Sequence, residues 1–572
     1  MPDEPSSSRS EVGGRTAWWF TVFPPAQWLP AYRREWLTSD VIAGLTLAAY
    51  AVPVSLAYAS LAGLPPHHGI FCYLLGGLFY ALFGTSRQLA IGPTSAISML
   101  VGTTVAGMAA GDPARWIAIA SLTALVVAGL SVLAWFLRLS TLVSFISETV
   151  LLGFKAGAAL TIALTQLPKL FGVPGGGEHF FERLWTLIRQ IPDTNLVVLS
   201  FGLVAFALLL LGNKLWPGRP VALIVVVLAI VVMSITSLGE QGMKVVGELP
   251  RGLPDLSLPS LQLRDVDGVI PLAAACFLLA YIEGVSAART LAQRHGQEIN
   301  PRQELLALGA ANLGVAFGQG YPVAGGLSQS AVNDKAGAKT PLAVILASTA
   351  LAVCLLLLTE LLSNLPSVVL ASIVLVAVSG LINVPELRRL RQVSRLEFRI
   401  ALVALAGVLL LGILKGVLLA VVVSLLMIIA RTARPHVAFL GRIPGTRRFS
   451  DLERHPDNEP VAGVLLFRVE ASLLYFNVEW VAQAVRQRLG AATEPIRLVV
   501  CDLCTSPYVD TAGARMLSEL HRHLASVGVQ LRLAEAHAAV RDILRAEGLD
   551  ERVGPIDRRT SVEDIIQNWQ QA

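Results

Sequence analysis

Leu89-Ala90-Ile91-Gly92-Pro93-Thr94-Ser95-Ala96-Ile97-Ser98 and Tyr321-Pro322-Val323-Ala324-Gly325-Gly326-Leu327-Ser328-Gln329-Ser330-Ala331-Val332-Asn333 are the two stretches that decide how this chain is built. Each reads as a short extended piece, a break at Gly92-Pro93 or Gly325-Gly326, and a helix start rich in Ser and Thr. Pro93 suits the first turn of a helix, where its missing N–H has no partner to lose. Apolar runs flank both breaks and place them at mid-membrane depth. Extended backbone survives there only where protein or a cavity satisfies its polar groups. A helix start leaves several N–H groups unpaired and directs about half a positive charge outward. Thr94, Ser95, Ser328 and Ser330 add hydroxyls. Two such starts facing one another would form an anion site without Lys or Arg. The alternative is a pair of kinked helices packed through small residues.

The rest of the composition agrees with a bilayer. Of 572 residues, 54% are hydrophobic and only 15% charged, and the mean hydropathy is +0.63; a soluble chain carries about 25% charged residues. The deficit lies in residues 41–430, and charge returns from Arg431 onward. Apolar stretches suited to spanning fall at 41–61, 70–83, 89–110, 116–137, 142–167, 196–212, 221–238, 269–285, 305–318, 323–332, 342–362, 368–382, 400–411 and 417–429. With the N-terminus inside, Arg87, Arg138, Lys214, Arg219, Arg289, Arg294, Arg302, Lys335, Lys339 and the run Arg388, Arg389, Arg391, Arg395, Arg399 fall in cytoplasmic loops. Glu178, Glu182, Asp193, Glu240, Glu248, Asp265 and Asp267 fall outside. That bias puts both termini in the cytoplasm and the chain in the cell inner (plasma) membrane. The expected divisions are a cytoplasmic and interfacial segment (1–37), a transmembrane domain (38–432), a linker (433–460) and a soluble domain (461–572).

No apolar signal segment opens the chain, since the first residues are polar and Ser-rich. Trp18, Trp19, Phe20, Phe23, Trp28 and Trp36, interleaved with Arg33 and Arg34, suit the membrane–water boundary. The net charge of +5 is that of basic cytoplasmic loops. No basic run with interleaved aromatics points to nucleic acid. Cys72, Cys276 and Cys354 read as small core hydrophobes. Cys501 and Cys504 form a C-x-x-C at the end of a strand, away from the helix start a redox pair needs. No hydrolytic motif, nucleotide loop or metal cluster appears, so no enzyme and no cofactor is expected.

In the soluble segment, strands are expected at 463–469, 472–476, 496–502 and 529–533. Helices are expected at 477–489, from Asp510-Thr511 to 525, at 538–547, and to 569 after a capping box of Thr560 and Glu563. This alternation predicts an α/β sandwich.

Glu283, in Leu278-Leu279-Ala280-Tyr281-Ile282-Glu283-Gly284-Val285, is a carboxylate inside an apolar span and a functional candidate for that reason. A proton on it would remove its repulsion of a nearby anion and couple the two binding events reciprocally. A structural carboxylate paired with Arg289 or bonded to backbone is the alternative. In the first span Pro53 kinks the helix, and Tyr50, Ser55 and Tyr58 are placed to line a cavity or simply to pack.

At these residues the chain resembles the SulP family of anion transporters, bacterial relatives of animal solute carrier family 26. The resemblance runs from about Trp28 to the C-terminus. It includes Ala43-Gly44-Leu45-Thr46, Val52-Pro53, Leu56-Ala57-Tyr58-Ala59, Ala62-Gly63-Leu64-Pro65-Pro66, Ile91-Gly92-Pro93-Thr94-Ser95, Arg289-Thr290, Gly325-Gly326, Ser330-Ala331-Val332-Asn333 and Ala336-Gly337-Ala338-Lys339-Thr340-Pro341. The soluble end is similar to the family's STAS domain, with Asp510-Thr511-Ala512-Gly513 at a helix start. The resemblance implies an all-α membrane domain of about fourteen spans in two inverted repeats, divided into a UraA-like core and gate, the gate supporting a homodimer. It places Tyr58, Thr94, Ser95, Ser328 and Gln329 in the anion pocket and makes Glu283 the proton-coupling acid. Asp510 and Thr511 become a regulatory position, against the plainer reading that they cap a helix. Two departures matter: Val54 stands where many members have Gln, and Gln329 where many have Arg. Both weaken the field for a dianion.

The sequence therefore predicts a proton-coupled carrier of sulfate or a similar oxyanion, moving its core in an elevator-like fashion. A sodium-coupled or exchanging carrier of bicarbonate, chloride or a dicarboxylate is the alternative. A membrane-anchored sensor, whose STAS domain recruits a cytosolic protein, is the alternative of another class.

Overall fold

The computed structural model describes residues 23–571 except 141–147, 178, 217–218, 237–241, 261 and 263–264. Arg9, Arg15, Trp18, Trp19, Phe20, Glu178 and Glu240 lie outside the described residues. The chain separates into two compact units that divide near residue 424.

The first unit is helical. Its first half runs α1 (Trp36–Leu61), α2 (His67–Phe83), β1 (Ile91–Gly92), α3 (Ser95–Ala109), α4 (Pro113–Phe136), α5 (Glu148–Phe171), α6 (Phe180–Gln190), α7 (Leu196–Leu215) and α8 (Val221–Ile235). The second half runs α9 (Val266–Arg294), α10 (Pro301–Phe317), β2 (Ala324–Gly325), α11 (Leu327–Lys335), α12 (Leu342–Leu357), α13 (Ser367–Ser379), α14 (Val384–Val393), α15 (Arg395–Leu411) and α16 (Ile413–Ala433). Among the described residues, six helical stretches are long and apolar enough to cross a bilayer. Each half opens on two helices, then a two-residue strand, then a helix too short to span. At 1.5 Å per residue, α11 covers only about half of a ~30 Å hydrocarbon core. Extended backbone precedes each of these short helices.

Two packing groups emerge. One joins α1, α2, α3, α4, α9, α10, α11 and α12 with the strands; the other joins α5, α7, α8, α13 and α15. They meet where α1 packs on α8 and α13, and where α3 packs on α5. Small residues let the backbones approach within each group. A Cβ on Gly69 would fall 2.0 Å from the Ser55 carbonyl, and one on Gly153 1.9 Å from that of Ala401. Buried Glu304, at the start of α10, anchors the connection into the first break: it accepts from the Tyr80 hydroxyl at 2.9 Å and from the Thr85 N–H at 2.8 Å.

The second unit is a five-stranded sheet, ordered β4-β3-β5-β6-β7, of β3 (Val437–Arg442), β4 (Phe449–Asp451), β5 (Val464–Val469), β6 (Leu498–Asp502) and β7 (Gln530–Ala534). The last three strands are parallel; β5 and β6 are almost wholly buried, as befits central parallel strands, while edge strand β7 exposes Gln530. One face carries α17 (Val478–Gly490), α18 (Thr511–Ser526) and α19 (Ala538–Ala546); the other carries α20 (Val562–Gln571). Three local expectations change. The segment 433–460, expected as a linker, supplies β3 and β4: its Gly- and charge-rich composition is that of a hairpin turn, and Val437-Ala438-Phe439 pairs antiparallel with β5. The segment 472–476 is not a strand, because Asn477 curls it by donating to the Ser472 carbonyl and accepting from the Leu474 N–H. The capping box lies one residue later than expected, with Ser561 and Asp564 bonding reciprocally, while Thr560 bonds Asp557 and Glu563 pairs with Arg442.

Candidate functional site

The two breaks lie against one another. β1 and β2 pair antiparallel, Ile91 opposite Gly325 and Gly92 opposite Ala324, so the extended backbones satisfy each other in the interior. Glycine is required for this approach. A Cβ on Gly92 would sit 2.4 Å from the Tyr73 ring, and one on Gly325 2.9 Å from Leu89 and 3.0 Å from the Cα of Gly284. α9 thus runs directly behind the ribbon at the level of Glu283.

From this ribbon the two short helices start uncapped. Thr94 is the N-cap of α3 in extended conformation, and its side chain caps nothing; the first helical bond is Ser98 N–H to the Thr94 carbonyl at 2.9 Å. Gly326 holds the same position for α11, and there the first bond is Ser330 N–H to the Gly326 carbonyl at 3.1 Å. The N–H groups of Ser95, Ala96 and Ile97, and of Leu327, Ser328 and Gln329, therefore have no helical acceptor.

The predicted site residues divide into two kinds. Thr94 and Ser95 are buried at the first start, and Thr94 Oγ1 is enclosed without a hydrogen-bond partner. Tyr58 stands against Ser95, and Glu283 faces Thr94. Among the described residues, Glu283 forms no ion pair with Arg289; the cation that acts on its carboxyl group is Lys155 of α5, from the opposite packing group. Ser328 is open to the surroundings. Gln329 is different. Its Oε1 accepts a short bond from the Tyr73 hydroxyl, and its Nε2 donates to the carbonyls of Ala90 at 2.9 Å and Ala324 at 3.1 Å. Its carboxamide is thus engaged in holding the ribbon.

Other residues share that task. Ser330 Oγ accepts from the Ala90 N–H at 2.9 Å and donates to the Gly326 carbonyl at 2.7 Å. Asn333 donates to the Gln88 carbonyl at 3.0 Å. Asn312 of α10 brackets Val323, accepting from its N–H at 3.0 Å and donating to its carbonyl at 3.2 Å. Ser98 bonds the Tyr321 hydroxyl at 3.0 Å. Pro53 lies inside α1, which runs through it as one helix.

Sequence reasoning passed over Lys155, although a lone Lys in the apolar run 142–167 is the same kind of signal as Glu283. It also missed Asn312, which bonds Val323 eleven residues on, and Glu304, whose partners Tyr80 and Thr85 lie more than two hundred residues away.

In the soluble unit, Asp510 is the N-cap of α18. Its Oδ1 accepts from the Gly513 N–H and its Oδ2 from the Tyr475 N–H, both at 2.8 Å; Thr511 is exposed beside it. Burial and neighbouring Asp502 push the Cys501 and Cys504 thiols up, which suits packing residues better than reactive thiolates.

Comparison with known proteins supplies the remaining evidence. Residues 37–404 match the sulfate permease family and residues 455–564 the STAS domain. A Mycobacterium tuberculosis protein named as a probable sulfate transporter is 33% identical over 535 residues, 92% of this chain and 96% of the relative. Sulfate transporter 2.1 of Arabidopsis thaliana is 31% identical, over 93% of this chain and 83% of its own. The murine solute carrier 26 family member A9 anion transporter, solved in an inward-facing state, superposes with a TM-score of 0.88 at 24% identity, covering 99% of this chain and 97% of that one. The transmembrane domain of a cyanobacterial bicarbonate transporter superposes with a TM-score of 0.61 at 23% identity, covering 69% of this chain and 98% of that one. Both superpositions speak for the fold. The paired breaks and the match across most of its length together show that the chain belongs to the sulfate permease family of multi-pass membrane transporters and carries a STAS domain after its transport unit.

Proposed function

We propose that this protein is a secondary active anion transporter that couples uptake of sulfate or a similar oxyanion to protons. The observation that carries the reading is the β1–β2 ribbon, which holds two uncapped helix starts side by side with Glu283 behind them. An anion between the starts would be met by unpaired backbone N–H groups and the Thr94, Ser95 and Ser328 hydroxyls, with Tyr58 closing one wall. The group holding the ribbon would move as one body against the group containing α5, α7, α8, α13 and α15, as an elevator does. This reading places about fourteen crossings in two inverted repeats, both termini in the cytoplasm, a homodimer formed through the second group, and a STAS domain available to a cytosolic partner.

A second reading has support from Gln329. Its carboxamide is neutral and fully engaged, so the site offers dipoles and no full charge from α11. Such a field suits a monoanion such as bicarbonate or chloride as well as a dianion. Uptake of labelled sulfate, bicarbonate and fumarate into proteoliposomes, under imposed proton and sodium gradients, separates these readings. Sulfate uptake driven by an inward proton gradient is expected, and Glu283→Gln should abolish its pH dependence while leaving exchange measurable. An unaltered pH profile in that variant would remove the coupling role. Absence of flux for every anion would leave the sensor reading in possession.

A further inference from the structure

A second place for an anion lies beyond the helix breaks. A cleft of about 740 Å³ opens between the two packing groups, lined by Ser60 of α1, Met99 and Gly102 of α3, and Thr161 of α5, and closed by α6 and the start of α16. Three of its lining residues are cationic: Lys169 in the last turn of α5, Arg183 of α6 and Lys415 of α16. No lining residue among those described is a carboxylate; Glu182, next to Arg183 on α6, offsets that one guanidinium in part. Arg183 is fixed by its Nε bond to the Gly177 carbonyl at 3.0 Å. Met99 is four residues beyond Ser95, one turn or about 6 Å along the same face of α3. The cleft therefore lies one turn beyond the candidate site along α3.

The chemistry of the lining determines how an anion would be held. The Ser60, Thr103, Thr161 and Thr165 hydroxyls donate to carbonyls of their own helices, at 2.9, 2.9, 3.0 and 2.7 Å. Their protons are thus spent within their own helices, leaving lone pairs rather than donors for an incoming anion. Attraction for an anion would come from the three cations. We infer that this cleft is an antechamber for a small hydrated anion, which raises the local concentration of the transported ion before it reaches the helix starts. The assignment rests on the transport reading above and adds to it a recruitment site with its own residues. Because both packing groups line the cleft, an anion held there also favours the arrangement in which it is open.

The test uses the full-length protein in neutral-lipid and in anionic-lipid vesicles, with initial sulfate uptake measured at ionic strengths from about 10 to about 150 mM, where the Debye length falls from about 30 to about 8 Å. The triple variant K169Q/R183Q/K415Q should raise KM roughly three- to tenfold at low ionic strength, with kcat unchanged, and flatten its dependence on salt. The pair K169R/K415R, which keeps the charge, should retain wild-type KM and so separate charge from folding. A triple variant with wild-type KM and salt dependence overturns the antechamber. A salt effect confined to anionic vesicles also overturns it and assigns the cleft to a lipid headgroup. Wild-type protein that carries no anion at all would instead fail the transport reading, a different result from either.

Discussion

The two helix breaks occupy matching places in the halves of the transport unit, yet they spend their polar atoms differently. At the second break, Gln329, Ser330 and Asn333 all reach across to backbone between Gln88 and Ala90, leaving Ser328 as the open hydroxyl. At the first, Thr94 keeps an enclosed and unbonded oxygen, with Ser95 beside Tyr58. The second break is a clamp, and the first keeps its polar atoms unspent, as the proposed receptor would need. The contrast shows that resemblance between the halves is a matter of backbone course, and that side chains assign the labour.

The largest expected effect comes from loosening the clamp. Gln329→Leu strands the Tyr73 hydroxyl and takes the amide donor from two buried carbonyls, at about 1–3 kcal/mol for each buried group left unsatisfied. A lower melting temperature in detergent and lost uptake are expected together. A variant of unchanged melting temperature would mean that the amide faces the anion after all. Ser328→Pro comes next. At the second helical position it removes an N–H that has no helical acceptor, so the helix itself survives; anion affinity should fall by about tenfold, the worth of one hydrogen bond to a charged group. Wild-type affinity in a binding assay would sink the site. The smallest effect, and the sharpest, is Thr94→Val. Removing a buried hydroxyl with no partner should leave the melting temperature unchanged or slightly raised, while affinity drops a few-fold. If stability falls instead, Thr94 belongs to the clamp and the contrast between the breaks disappears.

Much of this was readable from the residues. Gly92-Pro93 and Gly325-Gly326 marked both interruptions, because few other sequences stop a helix in lipid, and Glu283 announced itself by its cost. The pairing of β1 with β2 was not readable, since two-residue strands carry no periodicity. The role of Gln329 was hidden for a related reason: a polar residue at a helix start looks the same whether it faces a ligand or a carbonyl more than two hundred residues away. β3 and β4 were obscured by composition, their apolar run being short and followed by the Gly- and Arg-rich turn that joins them. Lys155 was within reach of the argument applied to Glu283. The long apolar run around it masked a single charge.

The ribbon also sets an order for making the protein. Ile91 leaves the ribosome more than two hundred residues before Gly325, an interval on the order of tens of seconds at ordinary rates of synthesis. Through that interval the edge of β1 and the Ala90 N–H lack the partners they will have, in a medium that tolerates no bare peptide group. The early half must be sheltered by water, by the insertion machinery or by its own neighbours until its counterpart arrives. The protein closes its seam and brings its two helix starts together in one late event.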